Sequence, residues 1–183
     1  EYSDYKAKEM FSFSIPTPEN QKSILCEMIG GKRYFVINRS IEIPKATKLS
    51  ADKITILWDC SHSSNKRDTK KEIELLREYF KANPKCSVEL ITFNYKIRSR
   101  KDYKVGNSNA DEIIKAIEKV RYDGGSNFDC IDLTKSKSEM IIMFTDGISS
   151  LRNSKTITSD ALINTINSNL TANNYYLNDI TNT

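Results

Sequence analysis

Three oxygen-bearing side chains follow an apolar run in the first half of the chain. Asp59, Ser61 and Ser63 occupy alternate positions directly after Ile54–Trp58. Carboxylate and hydroxyl oxygens are hard ligands that suit Mg²⁺, Mn²⁺ or Ca²⁺, whereas zinc prefers nitrogen and sulfur. Serines are also common in ordinary turns, and Asp59 alone could simply cap one. The pattern therefore indicates a metal site only if other parts of the chain complete it.

Two later segments carry the same chemistry. Ser126 follows a double glycine, and Asp146 follows the predicted strand 139–144, which is apolar from Met140 onward. Gly124 and Gly125 would let the backbone bend tightly beside an ion. Each segment also has a plain alternative, because Ser126 could be a helix N-cap and an Asp-Gly pair is a common turn.

The elements around these residues predict how they are positioned. From residue 53 onward, β-branched and apolar runs alternate with segments of helical periodicity, which predicts an α/β fold with a doubly wound, mostly parallel sheet flanked by helices. Right-handed crossovers place the carboxyl ends of parallel strands at one edge, so Asp59 and Asp146 are expected there together. The predicted strands are 53–59, 87–93, 139–144 and 161–166, with a hairpin partner at 95–99. The predicted helices are 65–81 (capped by Asn65), 108–120 (capped by Ser108), 128–133 and 172–180.

The first 50 residues follow a different pattern. Apolar residues alternate with serines over 11–15, and two further apolar runs, 23–29 and 32–38, flank a Gly-Gly turn. These features predict a β-rich extension over 1–50, followed by the α/β domain over 51–183.

Composition excludes several classes of function. The chain has 183 residues and a net charge of +4, and no basic stripe is interleaved with aromatic residues. Nucleic acid is therefore not an expected partner. No apolar run is long enough to cross a bilayer, so no membrane insertion is expected within this segment.

Cysteine and histidine usage narrows the chemistry further. The four cysteines contain no Cys-x-x-Cys pair, which argues against zinc and thioredoxin-type motifs. Free buried thiols and one or more disulfides both remain compatible with their spacing. His62 is the only histidine, so a Ser-His-Asp or Cys-His mechanism would have to use it.

Taken together, the three segments resemble the metal-ion-dependent adhesion site (MIDAS) of von Willebrand factor type A (vWA) domains. The resemblance covers residue 53 to the C-terminus, and the motifs occur in the family's order. The phrases Ile56–Asp59, Tyr122–Asn127 and Met143–Gly147 look closest to bacterial proteins that join a VIT domain to a vWA module. Gly31–Val36 is similar to the segment before the module there, so the N-terminal extension would be a VIT-like remnant or added edge strands.

The resemblance implies a function and a role for each residue. Ser61, Ser63 and Ser126 would bind the ion through their hydroxyls, and Asp59 and Asp146 mainly through bound waters. The ion would be Mg²⁺, or alternatively Mn²⁺ or Ca²⁺. An Asp or Glu of a protein partner would fill the open position, which makes the chain an adhesion or scaffold module and not an enzyme.

The sequence departs from the family pattern at several positions. His62 stands where glycine is usual, Ser126 stands where threonine is usual, and Cys60 and Ser64 are atypical. None of these changes removes a ligand oxygen. The domain would also lack its last strand, and the resemblance favours an exported or cell-surface setting.

Two other classes of function are compatible with the same residues. In a Mg²⁺-dependent phosphate-transferring hydrolase, Asp59 would be the nucleophile and Asp146 a metal ligand. Ser61 stands where such enzymes usually carry a second acid, which argues against this reading. Alternatively, the chain is a structural module with a vestigial metal site.

Overall fold

The computed structural model forms two compact units, Glu1–Lys48 and Leu49–Thr183. The predicted strand over 11–15 and the predicted cap Ser108 lie outside the described residues. The VIT-like origin of the first unit stays a prediction. The residues that the structure describes are 24–37, 51–106, 109–134, 136–150 and 157–181.

The described part of the first unit is a β-hairpin. Strands β1 (Ile24–Ile29) and β2 (Lys32–Ile37) pair antiparallel. Gly30 and Gly31 form the turn with φ values of 56° and 76°. Two consecutive positive φ values fit the right-handed twist of a hairpin, and glycine adopts them without strain. The Gly-Gly turn predicted from the sequence is therefore confirmed.

The second unit contains a five-stranded sheet in the order β5-β4-β3-β6-β7. Strands β3, β4, β6 and β7 are parallel to one another, and β5 runs antiparallel beside β4. This arrangement matches the expected vWA/Rossmann-like α/β fold. The strands are β3 (Lys53–Asp59), β4 (Ser87–Phe93), β5 (Ile97–Lys104), β6 (Met140–Phe144) and β7 (Leu162–Ile166).

Three helices accompany the sheet in the described part of the second unit: α1 (Thr69–Ala82), α2 (Asn109–Glu118) and α3 (Asn174–Thr181). None of the helices in the described ranges is long and apolar enough to cross a bilayer.

Two hydrophobic clusters cover the two faces of the sheet. Ile54, Ile56 and Trp58 of the central strand β3 face one cluster, which includes the buried faces of α1 and α2. Leu57 faces the other cluster, which includes Ile180 of α3. The alternation of side chains along a strand explains why β3 is apolar at almost every position, since both of its faces are covered.

The first long helix begins later than the sequence predicted. Asn65 is not its N-cap, because Ser63–Lys66 forms a 3₁₀ turn. The helix begins at Thr69, and Asp68 caps it by accepting a hydrogen bond from the backbone N–H of Lys71 at 3.2 Å. The short turn holds the serines close to the strand end and delays the helix.

Two other elements differ from prediction. The hairpin partner predicted over 95–99 is the longer strand β5, whose charged residues hide the usual alternation of an edge strand. The short helix predicted over 128–133 is a 3₁₀ turn of three residues, Phe128–Cys130. The other strands and helices of the second unit match their predicted positions to within a few residues.

The four cysteines all carry free thiols. Cys26 is exposed, Cys60 and Cys86 are buried, and Cys130 is intermediate. The free-thiol alternative is therefore the one that this structure contains.

Phe144→Ala should destabilise the second unit strongly. Phe144 is fully buried at the end of β6, with its ring centroid 4.8 Å from that of Trp58. We expect a loss of about 3–5 kcal/mol in the free energy of unfolding, because the cavity adds to the lost apolar burial. Urea denaturation measures it. Tyr175→Ala is the control, since that ring is 83% exposed and its removal should change stability by about 0.5 kcal/mol or less. Equal losses in both variants would contradict the two-cluster core.

Candidate functional site

The register of β3 against β6 brings two of the predicted loops together. Trp58 pairs with Phe144 at the carboxyl ends of these neighbouring strands. Asp59 and Thr145 therefore follow side by side, and the Thr145 hydroxyl donates a hydrogen bond of 2.7 Å to Asp59 Oδ2. Parallel strands thus deliver polar residues from distant parts of the sequence to one edge.

Asp59 is fully buried and uses its two carboxylate oxygens differently. Oδ1 accepts the backbone N–H of Ser61 at 2.8 Å, so it does cap a turn in its own loop. Oδ2 accepts Thr145, and the Ser126 hydroxyl lies 3.4 Å away, so this oxygen faces the other two loops. Burial raises the pKa of Asp59, while the hydrogen bonds from Thr145 and Ser61 and the charge of Arg67 act in the opposite direction.

The serines of the first loop converge beside this carboxylate. Ser61 is buried, and its Oγ lies 3.3 Å from Ser63 Oγ and 3.4 Å from Ser64 Oγ. His62 points outward and is exposed, but its backbone N–H donates to Gly124 O at 2.9 Å. This bond ties the first loop to the second.

Ser126 faces Asp59 and is not a helix cap. Asn127 caps the following 3₁₀ turn by accepting the N–H of Asp129 at 3.1 Å. Ser126 is instead buried with its hydroxyl toward Asp59, and its carbonyl accepts the N–H of Ser150 at 3.0 Å. The N-cap alternative for Ser126 is therefore wrong.

A glycine holds the second loop close to the first. Gly124 has a φ of 67°, and a Cβ there would lie 3.1 Å from the ring of Tyr95. The preceding residue, Asp123, donates its N–H to Cys60 O at 3.0 Å and accepts the Asn94 amide on its carbonyl at 3.0 Å. A side chain at position 124 would strain this packing.

Asp146 lies in the third loop and is fully buried. Its Oδ1 accepts the N–H of Ile148 at 3.0 Å, whereas its Oδ2 is buried with no hydrogen-bond partner among the described residues. Asn173 donates its N–H to the Asp146 carbonyl at 2.9 Å, just before α3. Gly147 permits this approach, because its φ is 72° and a Cβ would lie 3.0 Å from Leu177.

A buried arginine, Arg67, holds the loop that follows β3 in place. Arg67 donates to the backbone carbonyls of Asp59 at 2.8 Å and Ser64 at 3.4 Å. Its guanidinium lies 4.9 Å from the ring centroid of Trp58 and 3.5 Å from Glu72 Oε2. Burial raises the pKa of Glu72, and the charge of Arg67 lowers it. The loop is thus fixed by a buried ion pair at the start of α1.

The structure gathers the predicted residues at one sheet edge. The Ser126 hydroxyl contacts Asp59 Oδ2, and the Ser61 hydroxyl contacts that of Ser63, while the backbone N–H of Ser61 bonds Asp59 Oδ1. Asp146 is buried in the third loop, directly after Thr145, whose hydroxyl bonds Asp59. The described residues contain no group of three or more His, Cys, Asp or Glu side chains that could hold a metal ion. The predicted ligand set consists of two carboxylates, Asp59 and Asp146, and three hydroxyls, Ser61, Ser63 and Ser126. Its hard oxygens and the unpartnered Asp146 Oδ2 fit a hard divalent ion, not zinc.

Sequence reasoning missed two residues of the site. Thr145 contributes the shortest hydrogen bond to Asp59, and its position directly after an apolar strand could have indicated it. Arg67 gave no such signal, because charged residues are usually exposed and only the folded chain buries this one.

Comparisons with known proteins give weak similarities of structure only. No protein-family model and no curated protein sequence matches the chain. An aerotolerance-related membrane protein from Bacteroides fragilis, solved with multiple mutations to serine, is 13% identical with a TM-score of 0.46; the alignment covers 71% of this chain and 86% of that protein. The SpRpn10 VWA domain is 14% identical with a TM-score of 0.40, and the alignment covers 71% of this chain and 82% of that domain. The PilB minor pilin from Streptococcus sanguinis is 15% identical with a TM-score of 0.39, and the alignment covers 63% of this chain and 38% of the pilin. These values assign neither a family nor a function.

Glu72→Leu should lower the free energy of unfolding by more than the small change in side-chain volume would predict. The side chains of Arg67 and Glu72 are 0% and 2% exposed, so the variant leaves a buried cation without its counter-charge. We expect a loss of about 3–5 kcal/mol in the free energy of unfolding, measured by urea denaturation.

Two controls test this explanation. Glu78→Leu removes the partner of Lys81 in a pair whose side chains are 69% and 72% exposed, and should cost little. The double variant Arg67→Met with Glu72→Leu should be more stable than Glu72→Leu alone, because no unpaired charge remains. A double variant as unstable as the single one would contradict the unpaired-charge explanation and would place the loss in packing or in the hydrogen bonds of Arg67 to the carbonyls of Asp59 and Ser64.

Proposed function

We propose that the chain is a divalent-metal-dependent protein-binding module. Asp59, Ser61, Ser63, Ser126 and Asp146 would hold Mg²⁺, or Mn²⁺ or Ca²⁺ in its place. The observation that carries this proposal is the burial of two carboxylates, Asp59 and Asp146, at one edge of the sheet, where Thr145, the neighbour of Asp146, bonds Asp59. The Ser126 hydroxyl contacts Asp59, the Ser61 and Ser63 hydroxyls contact each other, and Asp146 Oδ2 has no hydrogen-bond partner among the described residues.

Buried charge supports the proposal. A carboxylate oxygen that is buried without a partner carries a desolvation cost, and a bound cation offsets it. The same cost raises the pKa of Asp59, whose hydrogen bonds compensate only in part. The contacts of Ser126 Oγ with Asp59 Oδ2, at 3.4 Å, and of Ser61 Oγ with Ser63 Oγ, at 3.3 Å, are longer than usual for O–H···O hydrogen bonds. Neutral hydroxyls so placed would serve as metal ligands.

The composition of the site supports a role in binding. Two carboxylates roughly neutralise a divalent cation, and neutral hydroxyls add no further charge. When bound, such an ion supplies a Lewis-acidic position that attracts an anionic oxygen from outside the chain. An Asp or Glu of a protein partner would meet this requirement, as in adhesion or scaffold contacts. An exported or cell-surface setting belongs to the same proposal.

The environment of Asp59 disfavours the hydrolase alternative. Both oxygens of Asp59 already accept hydrogen bonds, and its side chain is fully buried. A nucleophile in phosphate transfer must instead present a free oxygen to its substrate. Ser61 also lacks the acid–base capacity expected two residues after such a nucleophile.

Divalent ions should stabilise the protein through this site. A hundredfold excess of ion over its Kd gives about 2.7 kcal/mol, or roughly 5–10 °C in Tm. We expect Mg²⁺ or Mn²⁺ to produce such a shift and Asp59→Asn and Asp146→Asn to abolish it. Differential scanning fluorimetry with and without EDTA measures the shift.

Each Asp→Asn substitution keeps the side-chain size and removes the charge, so a lost Tm shift reports the loss of a carboxylate ligand. Asp160→Asn removes an exposed carboxylate outside the site and should keep the full metal-induced shift. Asp146→Asn should unfold at or above the native temperature in EDTA, because the variant removes a buried charge. A Tm shift of equal size in the native chain and in both site variants would place the metal elsewhere.

Partner binding should depend on metal and on a carboxylate. We expect peptides selected from a random dodecamer display library in Mg²⁺ to contain Asp or Glu and to elute with EDTA. Replacing that residue by Asn or Gln in a selected peptide should abolish binding, as should Asp146→Asn in the protein. Titration by fluorescence anisotropy measures both effects. Selected peptides that bind equally well in EDTA would reject the metal-bridged mechanism.

A further inference from the structure

A cavity of about 470 Å³ lies beside the candidate metal site, between β5 and the segment that follows α2. We call it the basic groove. Its lining residues combine an apolar base with a basic rim. The apolar residues include Leu90, Tyr103 and Val120, and the basic residues are Arg98, Arg100, Lys101, Lys119 and Arg121.

The basic groove contains an excess of positive charge. No carboxylate lines it among the described residues. Arg98 and Arg100 are paired with acids outside it, at 3.0 and 2.9 Å. Lys101, Lys119 and Arg121 are exposed and form no ion pair within the described ranges. Three cations therefore remain available to an anionic ligand.

Three other surface cavities of the described chain contain carboxylates beside their basic residues. One contains Asp111 beside its two basic residues, and another contains Glu139 and Asp160. A third contains Glu74 and Glu118. Among these four cavities, the basic groove is the one whose lining carries basic residues and no carboxylate.

The basic groove is continuous with the loops of the candidate metal site. Cys60 lines it and directly follows Asp59. Asp123 donates its N–H to Cys60 O at 3.0 Å and accepts the Arg98 guanidinium at 3.0 Å. One loop therefore contacts both the serine-bearing segment and the rim of the groove. A chain that reached the metal site could extend along the groove.

We propose that the basic groove binds an acidic polypeptide segment of the partner that engages the metal site. The identity of the partner in this inference rests on the proposed function, whereas the charge of the groove does not. Acidic side chains would pair with Lys101, Lys119 and Arg121, and the apolar base would contact the aliphatic parts of the segment. Charge complementarity of this kind favours encounter rate and specificity.

The aromatic content of the groove favours a polypeptide over nucleic acid. Single-stranded nucleic acids bind basic grooves through bases stacked on exposed aromatic rings. The aromatic residue of this lining, Tyr103, is 8% exposed, and Lys101 Nζ lies 5.0 Å from its ring centroid. An acidic peptide requires no such platform.

A fluorescein-labelled deca-glutamate peptide tests the groove directly. We measure its anisotropy with the full chain in EDTA, so that the metal site cannot contribute. We expect the triple variant Lys101→Glu, Lys119→Glu, Arg121→Glu to weaken binding about tenfold or more, since three favourable charge contacts become repulsive. Added NaCl should weaken binding to the native chain.

A matched triple variant controls for net charge. Lys70→Glu, Lys85→Glu and Lys137→Glu change the total charge equally at exposed positions outside the groove. This variant should bind deca-glutamate within about threefold of the native chain, leaving only long-range attraction reduced. Equal losses in the two triple variants would overturn the proposal. So would tighter binding of a deca-thymidine oligonucleotide than of deca-glutamate.

Two further measurements separate this proposal from the metal site. The groove variant should keep the Mg²⁺-induced rise in Tm, so a failure of the metal proposal would not remove deca-glutamate binding in EDTA. If the charge-reversed variant does not fold, Lys101→Gln, Lys119→Gln and Arg121→Gln together should still weaken binding several-fold. Unchanged binding in that neutral variant would overturn the assignment.

Discussion

A single buried carboxylate organises the functional edge of this molecule. Asp59 ends the central strand of the sheet and lies out of contact with bulk water. Burying a charged group is costly unless other groups compensate it, so neighbouring segments must supply hydrogen bonds. The Thr145 hydroxyl and the Ser61 amide provide the close ones, and Ser126 adds a longer contact. Compensating one carboxylate therefore draws three loops together.

The sheet holds these loops in place. A hydrophobic cluster packs on each face of the sheet and fixes β3 and β6, whose register places Asp59 beside Thr145. Arg67 then holds the carbonyls of the first loop from below, opposite a site that is rich in oxygen. The charge of Arg67 is paired with Glu72, and it also favours the charged form of Asp59. The arrangement explains how the fold accommodates charge at the edge of a hydrophobic core.

Two chemically different surfaces adjoin at this edge. One offers oxygen ligands and, in our proposal, attracts a partner's carboxylate through a metal ion. The other offers uncompensated cations on the groove beside β5. In our proposals both would favour an acidic partner, although they would act over different ranges. Coordination is a contact effect with strict geometry, whereas exposed cations act over about a Debye length, roughly 8–10 Å at ordinary salt. The groove would orient a partner, and the oxygen site would hold it.

The sequence by itself determined the fold class, because alternating apolar and helical patterns leave few arrangements besides a parallel sheet. It also determined that Asp59 and Asp146 share an edge, since one ends a parallel strand and the other follows the end of a parallel strand by two residues. Only the tertiary structure decided that Ser126 faces Asp59 instead of capping a helix, and that Arg67 is buried. Those outcomes depend on loop conformation and on partners far away in the chain. Local periodicity carries no information about such contacts, whereas burial and hydrogen bonding in the folded state fix them.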